Sequence, residues 1–307
     1  MLLLIKYTLL YGIVLMLVAL GGMFSEHSGV INIALEGIMV VGGLAGVLVT
    51  ASLPTTMAPA LIVLAAVVAA AVCGMLYSLL LAFASINLKA DQTIGGTALN
   101  MLATAIAMIL AKHFNGSTSA KISYTNKPFL FSIGGLELSI FIPLGIVLLV
   151  VSYIVMYKTR FGLRLRACGE HPQAADSVGI NVYRMRYAGV LISGFLGGIG
   201  GLAYTVAAGS GFNSDVGGYG FLALAVMIFG NWKPFPILAS SVFFALFKVI
   251  AAYSSSLSFL PKFDGVKEIS NFYQMLPYIV TMIVLIFTSK NSQAPKAEGI
   301  PYDKGSR

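Results

Sequence analysis

The chain has 307 residues, of which 58% are hydrophobic and only 10% are charged, and its formal net charge is +8. Soluble domains carry about a quarter charged residues, so this composition excludes an ordinary water-exposed surface and indicates a membrane protein. The positive charge does not indicate nucleic-acid binding, because Lys and Arg lie between the apolar blocks, where the positive-inside rule places them.

Nine apolar segments follow one another along the chain, and a membrane helix needs about 20 mainly apolar residues. The segments are Tyr7–Met23, Val30–Thr50, Ala58–Ile86, Thr93–Ala111, Leu138–Tyr157, Tyr187–Ala208, Tyr219–Phe229, Pro234–Tyr253 and Phe272–Thr288. The seventh is shorter than an ordinary membrane span, which favours a half-buried or re-entrant segment. The predicted fold class is all-α, a polytopic helix bundle with about eight or nine transmembrane or re-entrant segments.

The sidedness of the chain is predicted from its basic segments. The densest basic interval, 158–186, and the polar tail, 291–307, are both expected on the cytoplasmic side. Four segments separate them, so they share a side only if the short seventh segment counts as a crossing. Counting back through five spans places the N-terminus outside, so the polar loop Lys112–Glu137 also lies outside and offers a docking surface. We divide the chain into a permease domain, 1–290, and a flexible cytoplasmic tail, 291–307.

Motifs for catalysis and for ATP binding are missing from the sequence. There is no Gly-Lys dipeptide and therefore no phosphate-binding P-loop, so a partner must bind ATP if ATP is used. The histidines, His27, His113 and His171, are isolated from other ligand residues, and the two cysteines, Cys73 and Cys168, have no metal-ligand spacing. We predict no cofactor, no metal and no enzymatic activity for this chain.

A glycine-rich stretch lies in the sixth apolar segment. Its glycines are Gly194, Gly197, Gly198, Gly200 and Gly201, which form overlapping small-xxx-small spacings. Such spacings allow helix backbones to approach closely in a bilayer, so they predict tight helix packing more readily than a ligand-binding role.

The basic interval also contains the signals of a short helix. Pro172 suits the first turn, and Gly179 suits the left-handed residue that ends such a helix after Ser177. The sequence therefore predicts a short cytoplasmic helix lying across the membrane face.

The interval contains Arg164 and Arg166 before Ala167, then Gly169-Glu170, Ala174-Ala175 and Gly179-Ile180. This pattern resembles the coupling loop of ABC-importer permeases of the ribose and branched-chain amino-acid superfamily. The stretch from Phe24 to Ile38 is similar to an early segment of the nucleoside branch of that superfamily. Gly230-Asn-Trp-Lys-Pro234 is similar to the short turn before the family's penultimate helix.

The resemblance implies a type II-like permease subunit of an ABC importer, which translocates purine-type nucleosides while a separate ATPase binds ATP and Mg²⁺. It also implies a second, different permease subunit and an extracytoplasmic lipoprotein that delivers the nucleoside. The short helix would dock into a groove of the ATPase, so that closure of the ATPases alternates access. The implied coupling residues are Arg164, Arg166, Gly169, Glu170, Ala174, Ala175, Asp176 and Gly179.

Anchoring at the anionic inner leaflet is an alternative role for these basic residues, worth about 1 kcal/mol for each of them. That role does not require Glu170, Pro172 or Gly179. We therefore favour coupling.

Polar and aromatic residues in or beside the apolar segments are candidates for the substrate pathway, because a nucleoside presents a flat base and a polar ribose. The candidates are Asn32, Glu36, Gln92, Thr93, Asn100 and Phe221. Glu36 could instead be a structural anchor. Thr93 and Asn100, which share one helix face, could instead form interhelical hydrogen bonds. Lys248 is expected to snorkel or to pair structurally.

Other transporter types remain as alternatives at this point. A simple-sugar or a branched-chain amino-acid permease belongs to the same class as the nucleoside permease. An ion-coupled secondary transporter belongs to another class and would typically show intramembrane carboxylates, of which Glu36 is the clear example.

Overall fold

The computed structural model describes residues 2–54, 56–116, 119–133, 136–209, 211–252, 275, 279–283, 286 and 293–305. Ten α-helices are defined within these ranges: α1 Leu2–His27, α2 Leu35–Ser52, α3 Pro59–Ala82, α4 Gln92–Asn115, α5 Phe141–Lys158, α6 Arg160–Glu170, α7 Pro172–Ser177, α8 Val182–Ala208, α9 Tyr219–Phe229 and α10 Pro234–Ala252. A π-helical turn, Phe83–Asn87, extends α3. The fold is the predicted helix bundle.

Seven of the described helices are long and apolar enough to cross a membrane: α1, α2, α3 with its extension, α4, α5, α8 and α10. They correspond to seven of the nine predicted segments. The short seventh segment forms α9, with the predicted bounds. The ninth, Phe272–Thr288, lies mostly outside the described residues.

The loop between α4 and α5 contains the small amount of β-structure in the described chain. A 3₁₀ turn, Lys127–Phe129, leads into an antiparallel hairpin of β1 (Leu130–Ile133) and β2 (Leu136–Ser139), in which Leu130 pairs with Ser139. Before the hairpin, Ile122 forms an isolated bridge to Phe212 through reciprocal N–H···O bonds of 2.9 and 3.0 Å. The loop is thereby tied to the segment that precedes α9.

Helix α8 forms the centre of the bundle and packs against α1, α2 and α3. A Cβ atom at Gly198 would overlap the carbonyl oxygen of Ala70 on α3, and one at Gly201 would overlap the carbonyl oxygen of Met39 on α2. Helices in a bilayer associate through close backbone contacts of this kind, because lipid tails are as apolar as the side chains and the hydrophobic effect therefore drives little association. The glycine-rich stretch therefore packs helices, as its spacing predicts.

Helix α9 is a half-helix with defined ends. Gly209 (φ +66°) ends α8, and Gly218 (φ +77°) is the N-cap of α9. Eleven residues at about 1.5 Å each span roughly half of the ~30 Å hydrocarbon core. After Gly230 the chain turns through Asn231 (φ +50°) and Trp232 (φ +53°) into α10.

The residues near the C-terminus, 293–305, which we call the C-terminal strap, lie against α6 and α8. The Ala297 N–H donates to the Gly169 carbonyl at 2.8 Å, and Arg186 Nη1 donates to the Ile300 carbonyl at 3.0 Å. Tyr302 is only 4% exposed and packs between α6, α7 and α8. The strap thus contacts the bundle through backbone groups and one aromatic ring; the flexibility of the tail stays a prediction.

Candidate functional site

The predicted short helix is present, and with α6 and residues 178–180 it forms what we call the coupling region. Thr159 caps α6 by accepting a hydrogen bond from the Gly162 N–H at 3.2 Å. Pro172 begins α7. Gly179 (φ +82°) follows it, and the Ile180 N–H closes the end by donating to the Ala175 carbonyl at 3.0 Å. The Pro and Gly signals in the sequence thus place both ends of α7.

One side of the coupling region is held by the bundle. Leu165, Cys168 and Ala175 are buried. A Cβ atom at Gly169 would overlap the backbone of His27, so α6 approaches the end of α1 more closely than a side chain would permit. Burial raises the pKa of the Cys168 thiol to about 11, which makes that thiol unreactive at neutral pH.

The opposite side projects from the bundle and carries the predicted coupling residues Arg164, Glu170 and Ala174, all of which are exposed. Val178 is 75% exposed and Leu163 is 63% exposed, although both are apolar. Exposed apolar residues bordered by charged ones are typical of a protein-binding surface. Asp176 is half-buried.

Arg166 is also half-buried and turns back towards α5. The centre of its guanidinium lies 4.8 Å from the centroid of the Tyr157 ring. It therefore does not belong to the exposed face that carries Arg164.

Three of the predicted pathway residues surround the segment between α1 and α2. Asn100 accepts from the Gly37 N–H at 2.7 Å and donates to the Ile33 carbonyl at 2.9 Å. Gln92 Oε1 accepts from the Ile31 N–H at 2.7 Å, and Asn32 Nδ2 donates to a hydroxyl of α8 at 2.8 Å. The amides of Gln92 and Asn100 thus satisfy backbone groups inside the bundle, where water is not available to do so, and the amide of Asn32 joins the segment to α8.

Two amide atoms at this segment remain open. Asn32 Oδ1 and Gln92 Nε2 are buried and form no hydrogen bond with the described residues. One is an acceptor and the other is a donor, and unpaired buried polar groups of this kind are uncommon.

Glu36 caps the half-helix. Its carboxylate accepts from the Gly218 N–H at 2.7 Å and from the Gly220 N–H at 2.6 Å, and the residue is only 8% exposed. The first N–H groups of a helix have no partner within the helix, and a negative charge there is favoured by the helix dipole. Glu36 is therefore the structural anchor that fixes α9 against α2.

The other intramembrane candidates lie at different places. Thr93 is exposed in the first turn of α4, and Phe221 is 48% exposed on α9. The Lys248 ammonium lies 5.2 Å from the centroid of the Tyr219 ring, which is a structural pairing. The structure thus groups Asn32, Gln92 and Asn100 together and leaves Thr93 and Phe221 on outer surfaces.

The end of α1 and the turn before α10 form a contact that the sequence did not indicate. Trp232 Nε1 donates to Glu26 Oε2 at 2.5 Å, and His27 Nε2 lies 3.1 Å from the Trp232 carbonyl. Both partners belong to stretches singled out by resemblance, Phe24–Ile38 and Gly230–Pro234. Their contact could have been suspected only by considering the two stretches together.

Comparison with known proteins places this architecture in a family. The family described as branched-chain amino acid transport system / permease component matches residues 4–288. The chain belongs to this permease family. It is therefore a multi-pass membrane permease component of an ABC-type transport system, in agreement with its seven apolar helices of spanning length among the described residues.

Several relatives of this permease are named for nucleosides. The nucleoside ABC transporter permease protein NupC of Lactococcus lactis is 42% identical over 96% of this chain and 95% of its own length. The guanosine ABC transporter permease protein NupQ of Bacillus subtilis is 42% identical over 98% of this chain and 96% of its own. NupB of L. lactis, also named a nucleoside ABC transporter permease protein, is 31% identical over 36% of this chain and 30% of its own.

Proposed function

We propose that this chain is the membrane-spanning permease subunit of an ABC importer that carries nucleosides across the bacterial cytoplasmic membrane. The assignment of nucleosides as substrate is supported by the 42% identity, over nearly the full length, to permeases named for nucleosides and for guanosine. The exposed coupling region supports the mechanism, because a helix that projects from the bundle with apolar residues at its tip suits docking by another protein.

The coupling region transmits the work of a separate ATPase, which binds ATP and Mg²⁺. Helix α7 docks into a groove of that ATPase through its exposed side, with Ala174 and Val178 at the contact and Arg164 and Glu170 orienting it. The buried side of α6 meets the end of α1 at Gly169, so movement of α7 is passed to the bundle through a contact without flexible side chains. The C-terminus is cytoplasmic and the N-terminus is outside.

Crosslinking at Ala174 tests this mechanism. A cysteine at Ala174 should crosslink to a cysteine in the groove of the co-purifying ATPase, and Cys168 should not compete, because its thiol is buried. A cysteine at Lys121, which is exposed in the loop between α4 and α5, is the control and should not crosslink. No crosslink at Ala174, together with unchanged uptake in a Glu170→Arg variant, would contradict the coupling assignment.

The remaining partners are a second, different permease subunit and an external lipoprotein that delivers substrate. The existence of two nucleoside permease proteins in L. lactis, NupC and NupB, supports the first of these. Identification of the chains that co-purify with this one tests the assembly. A complex containing two copies of this chain and no other permease would contradict the heterodimer.

The substrate pathway is proposed to run beside the segment between α1 and α2. The buried acceptor of Asn32 and the buried donor of Gln92 have no hydrogen-bond partner among the described residues, and such groups can pair with a nucleobase edge. Thr93 and Phe221 add a hydroxyl and an aromatic face on outer surfaces, where a second permease subunit would close the path. Glu36 and Asn100 contribute by holding α9 and α2 in position.

Uptake competition tests the substrate class. Uptake of labelled guanosine in proteoliposomes that contain the whole complex should be inhibited by other purine nucleosides and not by ribose or leucine. It should require ATP and be sensitive to vanadate. Inhibition by ribose alone would favour a simple-sugar permease, and uptake without ATP that collapses with an ionophore would favour an ion-coupled transporter.

A further inference from the structure

A cavity lies beside the coupling region and shares Glu170 with it. Its volume is about 520 Å³, and it opens where the ends of α1 and α5 meet α6, the Gly230–Pro234 turn and the start of the C-terminal strap. Water occupies about 30 Å³ per molecule, so the cavity is large enough for a molecular group rather than a single ion. Cavities of this size commonly hold small molecules.

Positive charge dominates the lining of this cavity. Arg166, Lys233 and Lys296 come from three different parts of the chain and face one carboxylate, Glu170. The described residues form no salt bridge with these three cations. The titratable ring of His27 also lines the cavity. The side chains that line the cavity thus carry a net positive charge whether or not His27 is protonated.

The Arg166 guanidinium lies in the cavity wall and is positioned by the Tyr157 ring. It lies 4.8 Å from the centroid of the Tyr157 ring, and its Nε is buried without a hydrogen-bond partner among the described residues. Other polar groups nearby are already engaged, since the Trp232 carbonyl contacts His27 and Asn231 Oδ1 accepts from the Gln293 N–H at 2.8 Å. Arg166 lines the cavity, and a guanidinium binds phosphate oxygens strongly through its several N–H donors.

Aromatic residues place the cavity at the level of the lipid headgroups. Tyr153 on α5 lies 5.5 Å from Tyr157 and 5.0 Å from Phe235, as measured between ring centroids, and Phe235 is 52% exposed. Tyrosines at the end of a spanning helix mark the membrane interface. Tyr157 belongs both to this aromatic group and to the cavity wall, so the cavity adjoins the membrane surface.

We propose that this cavity binds a phosphate group, carried either by an anionic phospholipid or by a soluble phosphate compound. Basic pockets between membrane helices on the cytoplasmic side bind acidic lipid headgroups in this way. The bound phosphate joins α6, the turn before α10 and the C-terminal strap through one charge. The proposal does not depend on the transported substrate.

Native mass spectrometry of the full-length chain in detergent tests the lipid source. Phosphatidylglycerol should bind more tightly than phosphatidylcholine. The variants Arg166→Gln and Lys233→Gln should each weaken phosphatidylglycerol binding about fivefold, the equivalent of about 1 kcal/mol. Glu170→Gln should strengthen binding by a similar factor, which a loss of folding could not produce. Arg184→Gln, an exposed basic residue of α8 outside the cavity, is the matched control and should have no effect.

Inorganic phosphate tests the soluble source. If phosphatidylglycerol shows no preference, millimolar phosphate should raise the thermal denaturation midpoint of the wild type and of Arg184→Gln, but not that of Arg166→Gln. Either result supports the phosphate site and identifies its source. If neither probe binds, or if Arg184→Gln loses binding as much as Arg166→Gln, the proposal is overturned.

Discussion

Removal of the Glu36 carboxylate should detach the half-helix α9 from the bundle. In Glu36→Ala, the Gly218 and Gly220 N–H groups lose acceptors at 2.7 and 2.6 Å in a site that is only 8% exposed. Hydrogen bonds to a charged group contribute about 1.5–3 kcal/mol each, so the two together place the loss at about 3–6 kcal/mol. Glu36→Gln keeps one acceptor oxygen and should lose roughly half as much.

The assay is the free energy of unfolding in mixed micelles, with nucleoside uptake measured in parallel. Glu137→Gln is the matched control, because Glu137 makes only a 3.7 Å ion pair with Lys6 and its side chain is 66% exposed, and such pairs contribute ~0–1 kcal/mol. A Glu36→Ala loss below about 1 kcal/mol would refute the capping argument. Normal stability of Glu36→Ala with abolished uptake would show instead that the carboxylate acts on substrate or on an ion.

Three further predictions concern packing, the C-terminal strap and coupling. Gly198→Ala should destabilise the bundle by several kcal/mol, because its methyl group would meet the Ala70 carbonyl. Gly95→Ala is the control: a methyl group there meets open space, so the change should be neutral or stabilising by up to about 1 kcal/mol. The free energies of unfolding of the two variants test this difference. Burial raises the pKa of Glu298, beside Glu26, to about 7, so a docked strap binds more protons than a free one and should dock less tightly as pH rises from 4.5 to about 7. Emission of Trp232, the single tryptophan, should follow that change, and Glu298→Gln should remove it. Val178→Asp should leave stability unchanged, because the side chain is 75% exposed, and should reduce ATP-driven uptake; unchanged uptake would contradict the docking role of α7.

The sequence predicts well what depends on short stretches of chain. Apolar blocks gave the spanning helices, and the bounds of α9 match those of Tyr219–Phe229 because Gly residues stand at both of its ends. The ends of α7 follow from Pro172 and Gly179, whose backbone preferences act locally. The glycines of α8 pack helices as expected, since only small residues allow backbones to touch.

Long-range polar contacts could not be predicted in the same way. Glu36 reaches Gly218 across 182 positions, and Asn100 reaches Gly37 across 63. A sequence shows that a buried carboxylate or amide needs a partner, but it does not show which distant backbone provides one. The docking of the C-terminal strap is even harder to predict from sequence, because its hydrogen bonds use the backbone groups of Ala297 and Ile300, and every residue has such groups.

The close contacts of α8 also determine where this protein can evolve. Gly194, Gly198 and Gly201 meet neighbouring backbones with no room for a methyl group, so almost every substitution there is expected to be removed by selection. Exposed positions such as Thr93 and Phe221 tolerate replacement without repacking. We therefore expect permeases that diverge in substrate range to differ on the outer faces of α4 and α9 and to keep the glycines of α8.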